Sequence, residues 1–411
     1  MRRRLTTLTL VSGALLLAGC GSPVATTSTT PTPRPRPTPT PVPTSVPVAP
    51  GPYALLITND NRAGVTYDVL LVNGSGTIVA RVTAKLPLLK PNQTLTLSPV
   101  SAGATRAYYL DGDTDIHSLA ADGTSALVKS IAAGTTAELA FAVSPDQQHV
   151  AVSAITEQSN DARSTGHGYI ENLGDSGGHA DFFTNTGYSA YRWPIAWFGN
   201  SIVDAIGAAG AESCQQGGYG LAGQTSAIPC AASIHVVDAA TQNRVATICE
   251  SPTTQPTNGS ISYSLNGLEA AAGIACLYNQ YSSDQSTQTS TSSCHIDAVG
   301  WTGSARRFDT CTTQQASNGG LSENTCFLSP DGSRMACTGA PSGSLSLLKP
   351  GTPLQSLGRK YTVLGWMDNS HLMVDVDSAT MAVVNVDSGV ATTFAVPSAD
   401  HVTMQGVVGA A

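Results

Sequence analysis

From Pro52 to Ala411 the chain is built of short β-branched and apolar runs, broken at close intervals by Gly and Asp-Gly turns, with almost no helical periodicity. The stretch is too long for one sandwich, and it repeats. Seven strand–turn–strand units recur: Asp68–Val82, Asp115–Ile131, Tyr169–Phe183, Ile234–Ile248, His295–Cys311, Leu345–Leu357 and Ala382–Val396. Each turns on residues that tolerate a positive or preset φ, among them Asn73-Gly74-Ser75-Gly76, Asp122-Gly123, Pro350-Gly351 and Asp387-Ser388-Gly389. A second hairpin type lies between them. Val143-Ser144-Pro145-Asp146 leads into Val150-Ala151-Val152, and Leu328-Ser329-Pro330-Asp331-Gly332 leads into Met335-Ala336-Cys337. Ser264-Leu265-Asn266-Gly267 reads as a worn copy of that turn. Trp197–Val203 and Trp366–Leu372 have a related form. An inner hairpin followed by an outer one makes a four-stranded blade. The start of the chain supplies only three strands for the first blade, and Val402–Val408 is left over at the end. That strand is expected to complete the first blade and close the ring.

The Ser-Pro-Asp-Gly element resembles the WD40-like repeat of TolB-type β-propellers, in which Pro and Asp-Gly form the turn between the first two strands of a blade. The resemblance rests on two good and three worn copies between 138 and 376, with uneven blade spacing. It implies an all-β fold, a seven-bladed β-propeller with six or eight blades as the neighbouring counts. It does not imply an activity, because propellers host many.

The N-terminus changes the picture. Arg2, Arg3 and Arg4 precede a short apolar stretch ending Leu17-Ala18-Gly19-Cys20. This is a secretory signal too short to span a bilayer as a mature helix. It resembles a bacterial lipoprotein signal with its lipobox, which implies cleavage before Cys20 and palmitate-type acylation there. The expected organisation is a signal peptide over 1–19, a lipidated Cys20 with a Pro/Thr-rich linker to residue 50, and the propeller over 51–411. Alternating prolines from Pro31 to Pro43 favour extended polyproline II, which at ~3.1 Å per residue reaches up to about 90 Å from a membrane. The expected location is extracytoplasmic, lipid-anchored to the cell membrane or envelope.

Besides Cys20 there are Cys214, Cys230, Cys249, Cys276, Cys294, Cys311, Cys326 and Cys337. An even number in an exported chain reads as disulfides, and no Cys-x-x-Cys pair suggests a metal. Cys326 and Cys337 flank the Pro330 turn symmetrically and are expected to face each other. Cys276 with Cys294 and Cys214 with Cys230 each flank an insertion and are expected to staple it, which leaves Cys249 for Cys311. These are one choice among 105 pairings.

Charge and chemistry narrow the function. The net charge of −8 and the thin scatter of Lys and Arg exclude a nucleic-acid partner. Gly174-Asp175-Ser176-Gly177-Gly178 matches a serine-protease nucleophile motif, but no histidine upstream has the needed context, so it reads as a hairpin loop. Asp111, Asp113 and Asp115 alternate as in calcium loops, yet Ile116 and Asp122 break the EF-hand pattern. The eight histidines form no His-x-x-x-His pair, and no cofactor or metal is assigned. Trp197 and Trp366 occupy matching positions and read as core. Trp193 and Trp301, with Tyr188, Tyr191, Tyr219, Tyr278 and Tyr281, read as nearer to loops. The longest insertions, 155–168, 206–230, 251–260, 279–293 and 312–323, mark blades three to six as the expected recognition surface.

The expectation is thus a monomeric binding or scaffolding module for an envelope protein or glycan, with no catalytic residue assigned. The alternative is a lactonase-like or glycan-acting propeller enzyme with a site at the central channel, for which Asp204, Glu269, His371 and Asp375 are the loose candidates.

Overall fold

The computed structural model describes residues 51–58, 66–88, 97–134, 136–158, 163–174, 178–188, 190–208, 231–250, 259–284, 289–310, 325–338, 344–353, 355–377, 379–396 and 402–409. They form seven four-stranded antiparallel sheets and contain no helix. The protein is a seven-bladed β-propeller. The first strands of the blades are, in ring order, Val402–Val408, Val100–Ala102, Glu138–Val143, Ala190–Phe198, Gly259–Ala270, Thr325–Leu328 and Thr362–Trp366. Most pack against the first strand of the next blade, and Thr362–Trp366 returns to Val402–Val408. Between blades 4 and 5 the third strand of blade 4, Ala231–Asp238, takes this place against Gly259–Ala270.

Closure follows the expectation. Val402–Val408 pairs antiparallel with Tyr53–Thr58, so blade 1 is made from both ends of the chain. Every residue of Tyr53–Thr58 is buried, because it is an interior strand flanked by Val402–Val408 and Thr66–Asn73. All seven outer hairpins lie where the turn residues put them.

The Ser-Pro-Asp turns show why that tetrapeptide recurs. Ser329 Oγ donates to Asp331 Oδ1 at 2.7 Å, and the same oxygen accepts the Ser333 amide at 2.9 Å. Ser144 and Asp146 repeat this at 2.5 Å, with Asp146 Oδ1 accepting the Gln148 amide at 3.0 Å. Gly332 carries a φ of 70° and the equivalent Gln147 a φ of 57°. A glutamine tolerates that left-handed position because its side chain is used. Gln147 Oε1 accepts from Thr105 Oγ1 and from the Tyr108 hydroxyl in blade 2, both at 2.9 Å.

One turn was misplaced. Ser264–Gly267 is not a turn but part of the strand Gly259–Ala270, and the chain reverses at Ala271–Ala272 instead. Gly273, at φ 136°, makes that reversal possible, since a Cβ there would overlap the Val299 carbonyl. Blade 5 therefore has long strands of 12, 12 and 11 residues, and the 279–293 insertion is largely a continuation of its central hairpin. Likewise most of 155–168 lengthens the two middle strands of blade 3, His149–Gln158 and Arg163–Asn172.

Two disulfides join described cysteines. Cys326 and Cys337 are cross-strand partners in blade 6, with Cα atoms 4.1 Å apart. The other links Cys249, at the end of blade 4, to Cys276 in the second strand of blade 5, with Cα atoms 5.6 Å apart. The expected Cys276–Cys294 and Cys249–Cys311 pairs are therefore wrong. Cys276 stands opposite Asp297, three positions from Cys294, and an odd offset turns two side chains to opposite faces of a sheet. Cys249 reaches blade 5 because its φ of 56° bends the chain off the strand Arg244–Ile248. Cys294 is also disulfide-bonded. Cys214, Cys230 and Cys311 lie outside the described residues, as do Cys20 and the whole of 1–50.

Candidate functional site

The C-terminal ends of the first strands converge on one mouth of the central channel. There they enclose a cavity of about 430 Å³. Its wall includes Val143, Pro145, Ile195, Trp197, Phe198, Leu328, Pro330 and Met404. Phe198 is 41% exposed, unusual for a ring of its size on a polar surface. Among the described residues lining this mouth there is no Asp, Glu, His, Lys, Arg, Cys or Tyr. Its polar side chains are Ser101 and Gln405 beside three tryptophans, and both are already engaged. Ser101 Oγ accepts the Val143 amide at 3.0 Å, and Gln405 bonds Ser98 at 2.7 Å and Thr403 at 2.9 Å.

The tryptophans frame the mouth as structural wedges. Trp197 donates its indole N–H to the Ala142 carbonyl of blade 3 at 2.9 Å, and Trp366 donates to the Phe327 carbonyl of blade 6 at 2.8 Å. These matching bonds tie adjacent inner strands together; Trp366 is core as expected, whereas Trp197 is only half-buried. Trp193 and Trp301 are both buried, and only Trp193 departs from the expected place nearer to loops. Trp193 lies in the first strand of blade 4. Trp301, although in a turn, anchors its N–H on the Ala270 carbonyl at 2.9 Å. Tyr191 is buried in the same strand, Tyr278 stacks on His295 at 4.3 Å, and Tyr281 is 48% exposed. The side chain of Tyr188 and all of Tyr219 lie outside the described residues.

The loose enzymatic candidates do not converge. Asp204 is fully buried in the second strand of blade 4, where Arg192 holds it at 2.5 Å. Burial nevertheless pushes its carboxyl up to about 6, against the lowering effect of Arg192. Its cross-strand partner His235 is driven down to about 4 by burial and by the Arg192 and Arg244 charges. His371 and Asp375 lie in blade 7. His371 Nδ1 contacts Asp368 at 2.9 Å, and Asp375 is raised by burial and by Asp377. The Glu269 side chain is outside the described residues. Asp204, His371 and Asp375 do not line the channel mouth.

The aspartates of the 111–115 turn are employed in docking blade 2. Asp111 Oδ1 accepts the Lys85 amide, Asp113 Oδ1 accepts the Leu88 amide, and Asp115 Oδ1 accepts from Ser130 Oγ. Asp175, Ser176 and Gly177 lie outside the described residues, but the strands on either side form the expected hairpin.

That hairpin gathers a group that residue spacing did not reveal. His167 Nε2 and His179 Nε2 lie 2.8 and 3.2 Å from Asp181 Oδ1. The Tyr169 ring sits beside both imidazoles, at 5.0 and 4.8 Å. The signal was the hairpin itself, because folding Tyr169–Leu173 back onto His179–Phe183 sets Asp181 opposite Tyr169 and diagonal to His167.

No protein-family model matches this chain, and no curated protein sequence matches it. Among solved structures it is similar to an oligogalacturonate lyase in complex with manganese, at 9% identity and a TM-score of 0.42 over 76% of this chain and 83% of that one. It is also similar to TolB from Acinetobacter baumannii, at 12% identity and a TM-score of 0.34 over 83% and 79%. A third likeness is to the β-propeller domain of the Trilobed protease from Pyrococcus furiosus, at 10% identity and a TM-score of 0.39 over 81% of each chain. These likenesses concern fold alone and select no activity.

Proposed function

We propose that this protein is a lipid-anchored, extracytoplasmic propeller that binds an apolar segment of a protein partner at its channel mouth. The observation that carries the reading is the 430 Å³ apolar cavity with no titratable lining residue among those described. Its size falls in the ~300–1,000 Å³ range of ligand pockets. A hydrolytic site needs a general acid, a general base or a metal, and the described residues of this wall offer no such group. A glycan would bring hydroxyls that cost about 1–3 kcal/mol each to bury unpaired, and Ser101 and Gln405 are already satisfied. An apolar side chain meets neither difficulty. The disulfides Cys249–Cys276 and Cys326–Cys337 support an oxidising compartment, as the signal and Cys20 imply.

A photo-crosslinking residue placed at Phe198 in intact cells tests the binding surface. It should yield one discrete protein adduct, which the same probe at exposed Leu127 or Val390 does not. Equal labelling at all three positions, or none at Phe198, rejects the reading. The anchor is tested in the same cells: Cys20→Ala should move the protein from the membrane to the soluble fraction.

A further inference from the structure

The outer hairpin of blade 3 carries a donor set unrelated to the channel mouth. We propose that His167, His179 and Asp181 form a surface site for a divalent transition metal, zinc by chemical preference. Their ligand atoms all lie within 4.8 Å of one another. A tetrahedral zinc with ligands at about 2.0–2.1 Å holds those ligand atoms roughly 3.3–3.4 Å apart. The two histidine–aspartate separations of 2.8 and 3.2 Å fall just inside that spacing, so a metal needs only small side-chain rotations to enter.

The scaffold holds this arrangement in place. His167 and Tyr169 alternate onto one face of the strand Arg163–Asn172, and Asp181 stands opposite Tyr169 on the outermost strand Ala180–Tyr188. A bulge between Gly168 and Tyr169 shifts the register there, and it brings the diagonal pair His167 and Asp181 into contact. Gly168 permits the bulge to pack, since a Cβ would overlap the Phe183 ring. The Tyr169 ring, buried below, limits the swing of both imidazoles.

The donor set selects the ion. Two imidazole nitrogens and one carboxylate suit zinc and its late first-row neighbours, whereas calcium and magnesium want all-oxygen shells. The three side chains are 40–53% exposed, so an ion has a path in and its fourth position faces solvent.

Isothermal titration of zinc chloride into the chelator-washed full chain tests the site. The wild type should bind about one zinc per chain. His167→Ala, His179→Ala and Asp181→Asn should each weaken binding at least about 10-fold, the smallest loss that even an outer-shell contact gives. His371→Ala should bind as the wild type does. Cobalt loaded in place of zinc should show no sulfur-to-metal charge-transfer band, which separates this site from the Cys20 thiol. Circular dichroism of each variant keeps the comparison among folded proteins. Absence of zinc binding, or zinc bound equally by the His167→Ala/His179→Ala double variant, overturns the proposal.

Discussion

The seam between blades 7 and 1 and the seam between blades 3 and 4 solve the same packing problem with different chemistry. Around blades 6, 7 and 1 the faces meet through one large apolar cluster that includes Leu56, Leu70, Phe327, Leu372, Val374 and Met404. Between blades 3 and 4 the apolar contact is split in two: Ala151, Ile170, Phe182, Phe183 and Ile202 form one small cluster, and Ala140 and Ile155 join Tyr191 and Trp193 in another that runs on into blade 5. A polar contact lies beside them. Arg192 lies over the Phe183 ring at 4.8 Å and pairs with buried Asp204, which faces His235. Farther round, blades 4 and 5 are linked covalently by Cys249–Cys276. The ring closes inside blade 1, where Val402–Val408 pairs with the distant Tyr53–Thr58, and the apolar cluster around it supplies a non-directional force that tolerates late assembly. The middle of the chain is connected in sequence and accommodates buried charge and long hairpins.

Removing residues 400–411 should break this comparison most severely. It strips the strand that buries Met404 and Val408 and leaves Tyr53–Thr58 as an edge. A fall in melting temperature of more than about 10 °C by calorimetry is expected. An unchanged transition would mean that closure contributes nothing. The covalent link ranks next. The Cys249–Cys276 bond closes a 27-residue separation, worth about 3.5 kcal/mol by chain entropy, against about 2.8 kcal/mol for the 11-residue Cys326–Cys337 separation. Urea unfolding of the Cys249→Ala/Cys276→Ala and Cys326→Ala/Cys337→Ala variants should preserve that order.

The smallest effect comes from the buried charges. In the folded chain Asp204 keeps its proton up to about 6, against roughly 4 when unfolded. Its stabilising contribution is therefore present below about pH 4 and lost as pH rises through about 6. His235 stays neutral down to about 4. Its contribution is present above its ordinary value near 6.5 and lost as pH falls toward 4. The two oppose each other across the same window. Relative to wild type, Asp204→Asn should gain melting temperature as pH rises from about 4 to 6, and His235→Gln should lose it. The Asp204 change is on the order of 2 kcal/mol, and that of half-exposed His235 is smaller because solvent screens it. Two variants that track the wild type in parallel would show that the pair does not titrate as described.

Local chemistry was readable in the chain, and long-range pairing was not. Asp122-Gly123 and Ser329-Pro330-Asp331-Gly332 announce their turns because the hydrogen bonds that make them lie within a few residues, as the Thr124-to-Asp122 and Ser329-to-Asp331 bonds show. The closing strand Val402–Val408 was legible for a different reason: blade 1 was one strand short. Ser264–Gly267 misled because Asn-Gly is a turn signal that pairing along a long strand can override. The Cys276 pairing failed because it depends on strand register, where one odd step reverses a side chain. Trp301 looked like a loop residue because it is one; only the neighbouring carbonyl of Ala270 explains its burial. The apolar mouth could not be foreseen, since its wall draws residues from all seven blades.

Closure by the last strand sets a timetable for the ribosome. Tyr53–Thr58 is synthesised well before its partner Val402–Val408. At about 5–20 residues per second the interval between them is roughly 20–70 s. Throughout that time an apolar strand, Tyr-Ala-Leu-Leu-Ile-Thr, has one edge unpaired and is open to any other extended chain it meets. A nascent chain of this design has to be kept apart from its own copies until Val402–Val408 arrives.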